Sequence, residues 1–588
     1  MRVRLLVGLA LLLTAFAAPA QQKAATPDWV ARSNAHSQVL LDTSARFNPE
    51  LASAFGLATH DDQVLDLGPR VGERSRAALA KTRAELEKRL ATEKDPNVRQ
   101  DLLILVKAAK DNIQGSTLNE RYLLTWVDVP EVVFRGLQQL LQEEVAPARR
   151  AKALTRLQRY TGLAPGSKPL TELAKARFEE KRSNPKLLGP VKLEVEQSLA
   201  NAPTYVKGIR ELFTEYKIAD AEPALAALEK QVADYVAWER EVVLPRTRED
   251  FRLPPELYAF GLQQFGIDIP PEQLLRRAQV EYLSVRAQMQ VLAPLVAKAR
   301  GLDATDYRDV IRLLKKEQLG RDRIEGHYRE VIAEMEKRIS QQRVVDLPKR
   351  PMVMRIASEA ESAAQPAPHM DPPALINNTG EQGQFVLPLG NPTSGGKGEA
   401  YDDFTFGAAA WTLTAHEGRP GHELQFTAMV ERGVSLARSM FAFNSVNVEG
   451  WALYAEAEMV PYEPLEGQLI ALQFRLLRAA RAMLDPMLNL GQLTREQAGR
   501  VLTEEVVLSA PMARQELDRY TFRSPGQAGS YFYGYTRLLE MRAETEIALG
   551  PKFDRLAFNN FLLDQGLLPP DLLARAVREE FVPAQKAR

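Results

Sequence analysis

The sequence contains no cysteine. That absence removes disulfides, thiolate nucleophiles, cysteine zinc sites and iron–sulfur clusters together. Histidine is scarce, with six in 588 residues, so where those six fall carries information. Neither sign of charge is in excess: 76 Lys and Arg balance 76 Asp and Glu. A nucleic-acid partner, which wants a basic surface, is therefore not expected. Beyond the N-terminus no run reaches 18 apolar residues, so no stable membrane insertion is expected. The strings Gly-x-Ser-x-Gly, Glu-x-x-His and Gly-x4-Gly-Lys-Ser/Thr do not occur. Their absence argues against a serine hydrolase, a di-iron carboxylate bundle and a phosphate loop. What remains is a composition with 45% apolar and 26% charged residues, which excludes a fibre or wholesale disorder.

Residues 1–20 read as an export signal. Arg2 and Arg4 precede an apolar run from Leu5 to Phe16, and Ala18-Pro19-Ala20 places small residues where a signal peptidase reads. The run is too short to span about 30 Å of hydrocarbon. No cysteine follows to carry a lipid. The expected location is the periplasm or the exterior.

From residue 27 to 343 apolar positions recur at three- and four-residue spacing, as in 98–109, 130–142, 223–243 and 271–297. Residues 21–345 thus form a helical first half. The segment 346–400 is rich in Pro, Gly, Asn and Ser, with short strands expected at 350–356 and 384–389. Pro388 argues that the second is an edge strand, to which an extended peptide can pair, and this makes Gln384 a candidate substrate contact. The loop Gly395-Gly396-Lys397-Gly398 is expected to be mobile. Helical periodicity returns at about Asp402 and runs to the end, so residues 346–588 form the second, catalytic half, with metal-binding helices over 402–460.

Two of the six histidines lie in Thr414-Ala415-His416-Glu417-Gly418-Arg419-Pro420-Gly421-His422-Glu423. Zinc peptidases place His-Glu-x-x-His on a helix, so that both imidazoles share a face and the glutamate reaches the metal's water. Here the spacing is six, a rotation of about 240° on an unbroken helix, which would part the two rings. Pro420 cannot continue such a helix, because its ring clashes with the carbonyl of His416, and Gly421 permits unusual dihedrals. The helix is expected to break at 418–421 and resume near His422, which lets the histidines converge. A catalytic zinc takes three protein ligands, and no third histidine lies nearby. Glu449, 27 residues downstream in Asn447-Val448-Glu449-Gly450-Trp451, is the best carboxylate candidate, with Glu456 and Glu458 as alternatives. Glu449 and Glu456 lie a heptad apart on similar faces, so one can ligate while the other orients a ligand from behind. Glu417 is the candidate general base. Tyr531, Tyr533 and Tyr535 are candidate donors to an oxyanion, and Arg523 and Arg542 can hold a substrate carboxylate. The other histidines read as bland: His327 on an exposed helix face, His369 in a loop, His36 and His60 structural or superficial.

The string His-Glu-Gly-Arg-Pro-Gly-His-Glu-Leu-Gln, then Val-Glu-Gly-Trp-Ala-Leu-Tyr-Ala-Glu, then Ser524-Pro525-Gly526-Gln527-Ala528-Gly529-Ser530-Tyr531 resembles the bacterial family catalogued as domain of unknown function 885. More distantly it is similar to the helical zinc peptidases of the thimet oligopeptidase and carboxypeptidase Taq type. Their His-Glu-x-Gly-His matches His416-Glu417…Gly421-His422 with two residues looped out, and their Val-Glu matches Val448-Glu449. The resemblance implies a mostly α-helical clam-shell of the gluzincin kind with a central cleft and a small β element. It implies one zinc ion and hydrolysis of oligopeptides or dipeptides. The match singles out Tyr531 among the tyrosines, with Tyr535 second. The rival reading is an inactive peptide-binding protein on a peptidase scaffold.

Overall fold

The computed structural model describes residues 27–390 and 401–588. The export signal and the 395–398 loop lie outside the described residues. Among the described residues the chain is mostly helical, with one three-stranded sheet. No described helix is long and apolar enough to cross a membrane.

Eight helices bear on the site: α1 (Pro271–Arg300), α2 (Arg321–Gln341), α3 (Ala409–Glu417), α4 (His422–Arg432), α5 (Ser445–Met459), α6 (Leu465–Asn489), α7 (Ala510–Asp518) and α8 (Ser530–Leu549). The long α1 packs along α6, and α3 is held among α2, α5 and α6. That enclosure explains the composition of α3, Ala-Ala-Trp-Thr-Leu-Thr-Ala-His-Glu, which has no polar face. A helix apolar all round belongs inside a protein.

The composition shift near residue 345 does not divide the apolar core. One cluster draws Val285, Met289 and Tyr328 from before it and Leu413, Leu469 and Leu477 from after it. A second core, around Phe134, Tyr205 and Tyr235, takes Ala360, Ala363 and Ala364 from beyond it. The irregular segment is also hydrogen-bonded to the first half: Arg135 donates to the Ala364 carbonyl at 2.8 Å.

The sheet contains β1 (Val353–Ile356), β2 (His369–Asp371) and β3 (Gln384–Leu387), in the order β1-β3-β2. β3 pairs parallel with β1 and antiparallel with β2. The edge-strand expectation for 384–389 is therefore corrected: β3 is central and fully buried. Pro388 lies just past the last paired residue, so its missing N–H costs the ladder nothing. His369 is corrected likewise, from a loop to the start of edge strand β2. His327 is half-buried rather than exposed, with Nε2 at 3.0 Å from the Gly407 carbonyl.

A candidate metal centre

The break between α3 and α4 is built by two glycines. Gly418 and Gly421 have ψ of −120° and −131°, and the Arg419–Pro420 peptide is cis. A Cβ on Gly421 would lie 2.0 Å from the His416 carbonyl oxygen and 2.3 Å from that of Ala415. No side chain fits there, so the chain can fold back on the end of α3 only with glycine. The loop between is tied on both sides. The Trp451 indole N–H donates to the Pro420 carbonyl at 3.0 Å. The buried Arg419 guanidinium donates to both oxygens of Glu423, to Glu336 at 2.7 Å and to the Arg350 carbonyl at 2.6 Å.

This fold-back brings His416 and His422 together, with ring centroids 4.7 Å apart and planes at 78°. α5 starts behind Asn444, whose side chain accepts the Asn447 N–H at 2.8 Å, and Gln425 on α4 donates to Asn447 at 3.0 Å. Those bonds set the register of α5 against α4 and point Glu449 at both imidazoles. Glu449 Oε2 lies 3.2 Å from His422 Nε2 and 3.5 Å from His416 Nε2. The ligand atoms of His416, Glu417 and His422 all lie within 4.8 Å of one another. A tetrahedral zinc with bonds of about 2.0–2.1 Å separates neighbouring ligand atoms by roughly 3.3 Å. Two imidazole nitrogens and one carboxylate oxygen at these separations fit that donor set.

Glu456, two turns along α5 from Glu449, stands behind His416. Its Oε1 lies 2.6 Å from His416 Nδ1, and its Oε2 accepts from Thr412 Oγ1 at 2.8 Å. With Nδ1 engaged, Nε2 is the nitrogen left facing Glu449. His422 Nδ1, by contrast, is buried without a hydrogen-bond partner among the described residues.

The charges are strongly coupled. Burial alone would push the His416 pKa down, but Glu417, Glu449 and Glu456 hold it up at about 9. Burial would raise the Glu449 carboxyl; the imidazoles of His422 and His416 instead hold it well below the usual carboxylate range. Tyr531, raised by burial and by Glu449, stacks its ring over His416 at 6.0 Å and 12°. It reaches that position because α5 and α8 touch through glycines: a Cβ on Gly534 would lie 2.0 Å from the Val446 carbonyl oxygen.

These groups open onto a cavity of about 930 Å³ whose lining includes His416, Glu417, His422, Glu449 and Tyr531. Strand β2 and Arg523 also line it, as do Phe55 and Arg149 from the first half. The remaining candidates lie elsewhere. Gln384 sits in the central strand and accepts from Arg355 Nε at 2.6 Å, away from the cavity. Tyr535 is buried one turn along α8 under the Arg475 guanidinium, 5.0 Å from its ring. Tyr533 bonds Asp268. Arg542 is occupied by Glu458 at 3.2 Å and by Glu546, and takes no part in the lining. For Gln384, Tyr535 and Arg542 these placements correct the expected substrate or oxyanion contact. Sequence reasoning missed the arginines beneath Tyr531, Arg478 and Arg481 on α6 and Arg519 after α7. For the two on α6, charged residues at three-residue spacing within its apolar run were the signal; Arg519 had none.

The fold is shared with solved structures. One, from Colwellia psychrerythraea and described as a "putative lipoprotein", superposes with a TM-score of 0.75 at 17% identity, over 94% of this chain and 99% of that one. Another, from Shewanella oneidensis and described as a "putative lipoprotein of unknown function", gives 0.68 at 20% identity, over 92% and 99%. At these identities the likeness is one of fold. The chain in hand has no cysteine for a thioether-linked lipid. No curated protein matches it. A family model covers residues 49–577, and by that match the chain belongs to the bacterial proteins of unknown function grouped as DUF885.

Proposed function

We propose that this protein is a zinc-dependent metallopeptidase of the periplasm or exterior, with His416, His422 and Glu449 as the ligands of one ion. The observation that carries the reading is the separation of Glu449 Oε2 from the two imidazole nitrogens, 3.2 and 3.5 Å, at the spacing of a tetrahedral ligand set. A zinc ion there supplies Lewis acidity toward a carbonyl and a water acidic enough to deprotonate near neutral pH.

The rest is the work of the chain. Glu417, buried beside His416 and open to the cavity, accepts the proton of the attacking water and delivers it to the leaving amine. Tyr531 donates its hydroxyl proton in a hydrogen bond to the oxyanion that develops on the substrate carbonyl. Glu456 fixes the tautomer and orientation of His416. A cavity of about 930 Å³ accommodates a short peptide segment and excludes a folded protein, which favours oligopeptides or dipeptides. A gluzincin-like helical clam-shell is the architecture that accompanies this reading.

Elemental mass spectrometry tests it, on wild type and on His422→Ala purified without affinity metals. The expected result is about one zinc per chain, lost in the variant, with Glu417→Gln retaining zinc and losing roughly 100-fold or more in peptide hydrolysis. No zinc in the wild type, even after zinc is added, overturns the reading and leaves a peptide-binding protein.

A further inference from the structure

One wall of the cavity is apolar and begins beside the candidate metal ligands. α4 and α5 run antiparallel, since His422 meets Glu449 and Gln425 meets Asn447. Residues four apart share a helix face. Phe426, four after His422, and Ser445, four before Glu449, therefore lie at the same level, one turn from the ligands. Both line the cavity, as does Val448. Phe426 and Val448 pack into one small cluster, with Met370 of β2 against it. One helical turn is about 5.4 Å, so this apolar floor starts at about that distance from the ligand positions.

Three larger side chains continue it. Met440 lies in the π-helical turn Ala437–Phe441, Phe443 follows that turn, and Phe265 comes from the first half. All three line the cavity, and none packs into an apolar core of the described residues. Phe443 is 58% exposed.

The backbone beneath these rings is nonetheless fixed. The Val446 N–H donates to the Phe265 carbonyl at 2.9 Å. The turn after Phe265 closes on Gly266, with φ of +93°, where a Cβ would lie 2.9 Å from Asn444 Oδ1. The Asn444 amide donates to the carbonyls of Ala442 at 2.9 Å and Leu567 at 3.0 Å, which holds Phe443 between them.

Apolar rings facing water inside a concave, pre-formed wall are the counterpart of an apolar ligand. An apolar side chain entering there removes water from both surfaces, and little backbone has to be ordered first. A charged side chain would lose hydration against the same floor and gain no partner on it. In an extended peptide each residue advances roughly 3.3–3.6 Å. A floor one helical turn from the ligands therefore meets a side chain within about two residues of the bond being cut.

We propose that Phe443, Met440 and Phe265, with Phe426 and Val448 at the base, form a subsite for an aromatic or long aliphatic side chain of the substrate, close to the cleaved bond. The inference rests on the peptidase reading and names the class of peptide taken.

Peptides of one alanine-rich sequence, each with a single Phe, Leu or Glu at a different position, provide the test. Their binding to Glu417→Gln protein is measured by calorimetry, which needs no turnover, and the cleavage products of wild type are sized by mass spectrometry. A Phe or Leu peptide is expected to bind about tenfold or more tighter than the parent, with a more negative heat-capacity change, whereas the Glu peptides gain nothing. The cut should move with the Phe and stay within about two residues of it. Phe443→Ser should lose most of the advantage at unchanged zinc stoichiometry, and Phe443→Leu should keep most of it. Phe443 is exposed and outside every core cluster, so neither change threatens the fold. Equal binding of the Phe and parent peptides, an advantage that survives Phe443→Ser, or cuts that ignore the position of the Phe overturn the subsite, while continued hydrolysis leaves the peptidase reading standing. No cleavage of any of these peptides by zinc-loaded wild type overturns the peptidase reading and the subsite with it.

Discussion

Glu456→Gln is the most informative single change, because Glu456 touches the centre only through His416. The substitution keeps the shape and removes a charge. In the wild type one oxygen meets His416 Nδ1 at 2.6 Å and the Arg478 guanidinium at 3.4 Å, while the other accepts from Thr412 at 2.8 Å. The amide has one oxygen to offer these donors, and its NH2 must face Thr412 or His416. Either way a buried donor loses its partner, and the imidazole loses the carboxylate that fixes its tautomer. Removing such a carboxylate from behind a histidine ligand costs about 10- to 100-fold in metal affinity, or roughly 1.4–2.7 kcal/mol. Zinc dissociation constants from chelator competition are the assay, with thermal unfolding as a check on the fold. Glu458→Gln, two residues on and paired with Arg542, is the control and should bind zinc as wild type does. A folded Glu456→Gln protein with unchanged zinc affinity would falsify the argument that Glu456 orients His416.

Other outcomes follow from the same geometry. Gly421→Ala should lose zinc and destabilise the protein by about 1–3 kcal/mol or more in chemical denaturation, since its Cβ would lie 2.0 Å from the His416 carbonyl oxygen; a variant as stable as wild type with full zinc content refutes the fold-back. Tyr531→Phe should lower kcat roughly 100-fold or more at unchanged zinc stoichiometry, and unchanged kcat removes Tyr531 from the oxyanion role. Burial drives the Asp485 carboxyl up to about 7 from 3.8, against the hydrogen bonds it accepts from Gly526 and Tyr258. Its folded value lies above its unfolded one, so the folded state holds the proton between about pH 4 and 7, and the associated stability, on the order of 4 kcal/mol, is lost as pH rises through that window. Asp485→Asn should flatten the pH dependence of stability there, and an unaltered slope removes Asp485 as its source.

Much of the architecture was legible because helices announce themselves locally. The three- and four-residue spacing of apolar positions placed the long helix over 271–297, which runs Pro271–Arg300 in the fold. Pro420 and Gly421 placed the break, because a proline clash and a bare Cα are properties of the chain alone. The sheet was harder. Three- and four-residue strands carry little periodicity, and Pro388 misled because one residue decides whether a missing N–H falls inside the ladder or after it. Among the site candidates Glu456 and Glu449 were visible as a heptad pair, but which one faces which nitrogen depends on how α5 sits against α4.

The sequence by itself determined a mostly helical chain without thiol chemistry, the fold-back between His416 and His422, and the few carboxylates able to join them. These depend on residue type and on separations of a few positions. Tertiary structure alone decided that Gln384 and Arg542 are spent elsewhere, and that Arg478, Arg481 and Arg519 gather around the Tyr531 ring. Such choices are made by contacts between segments tens to hundreds of residues apart, as where Gly450 and Gly534 let two helices touch, and no local pattern encodes which partners will meet.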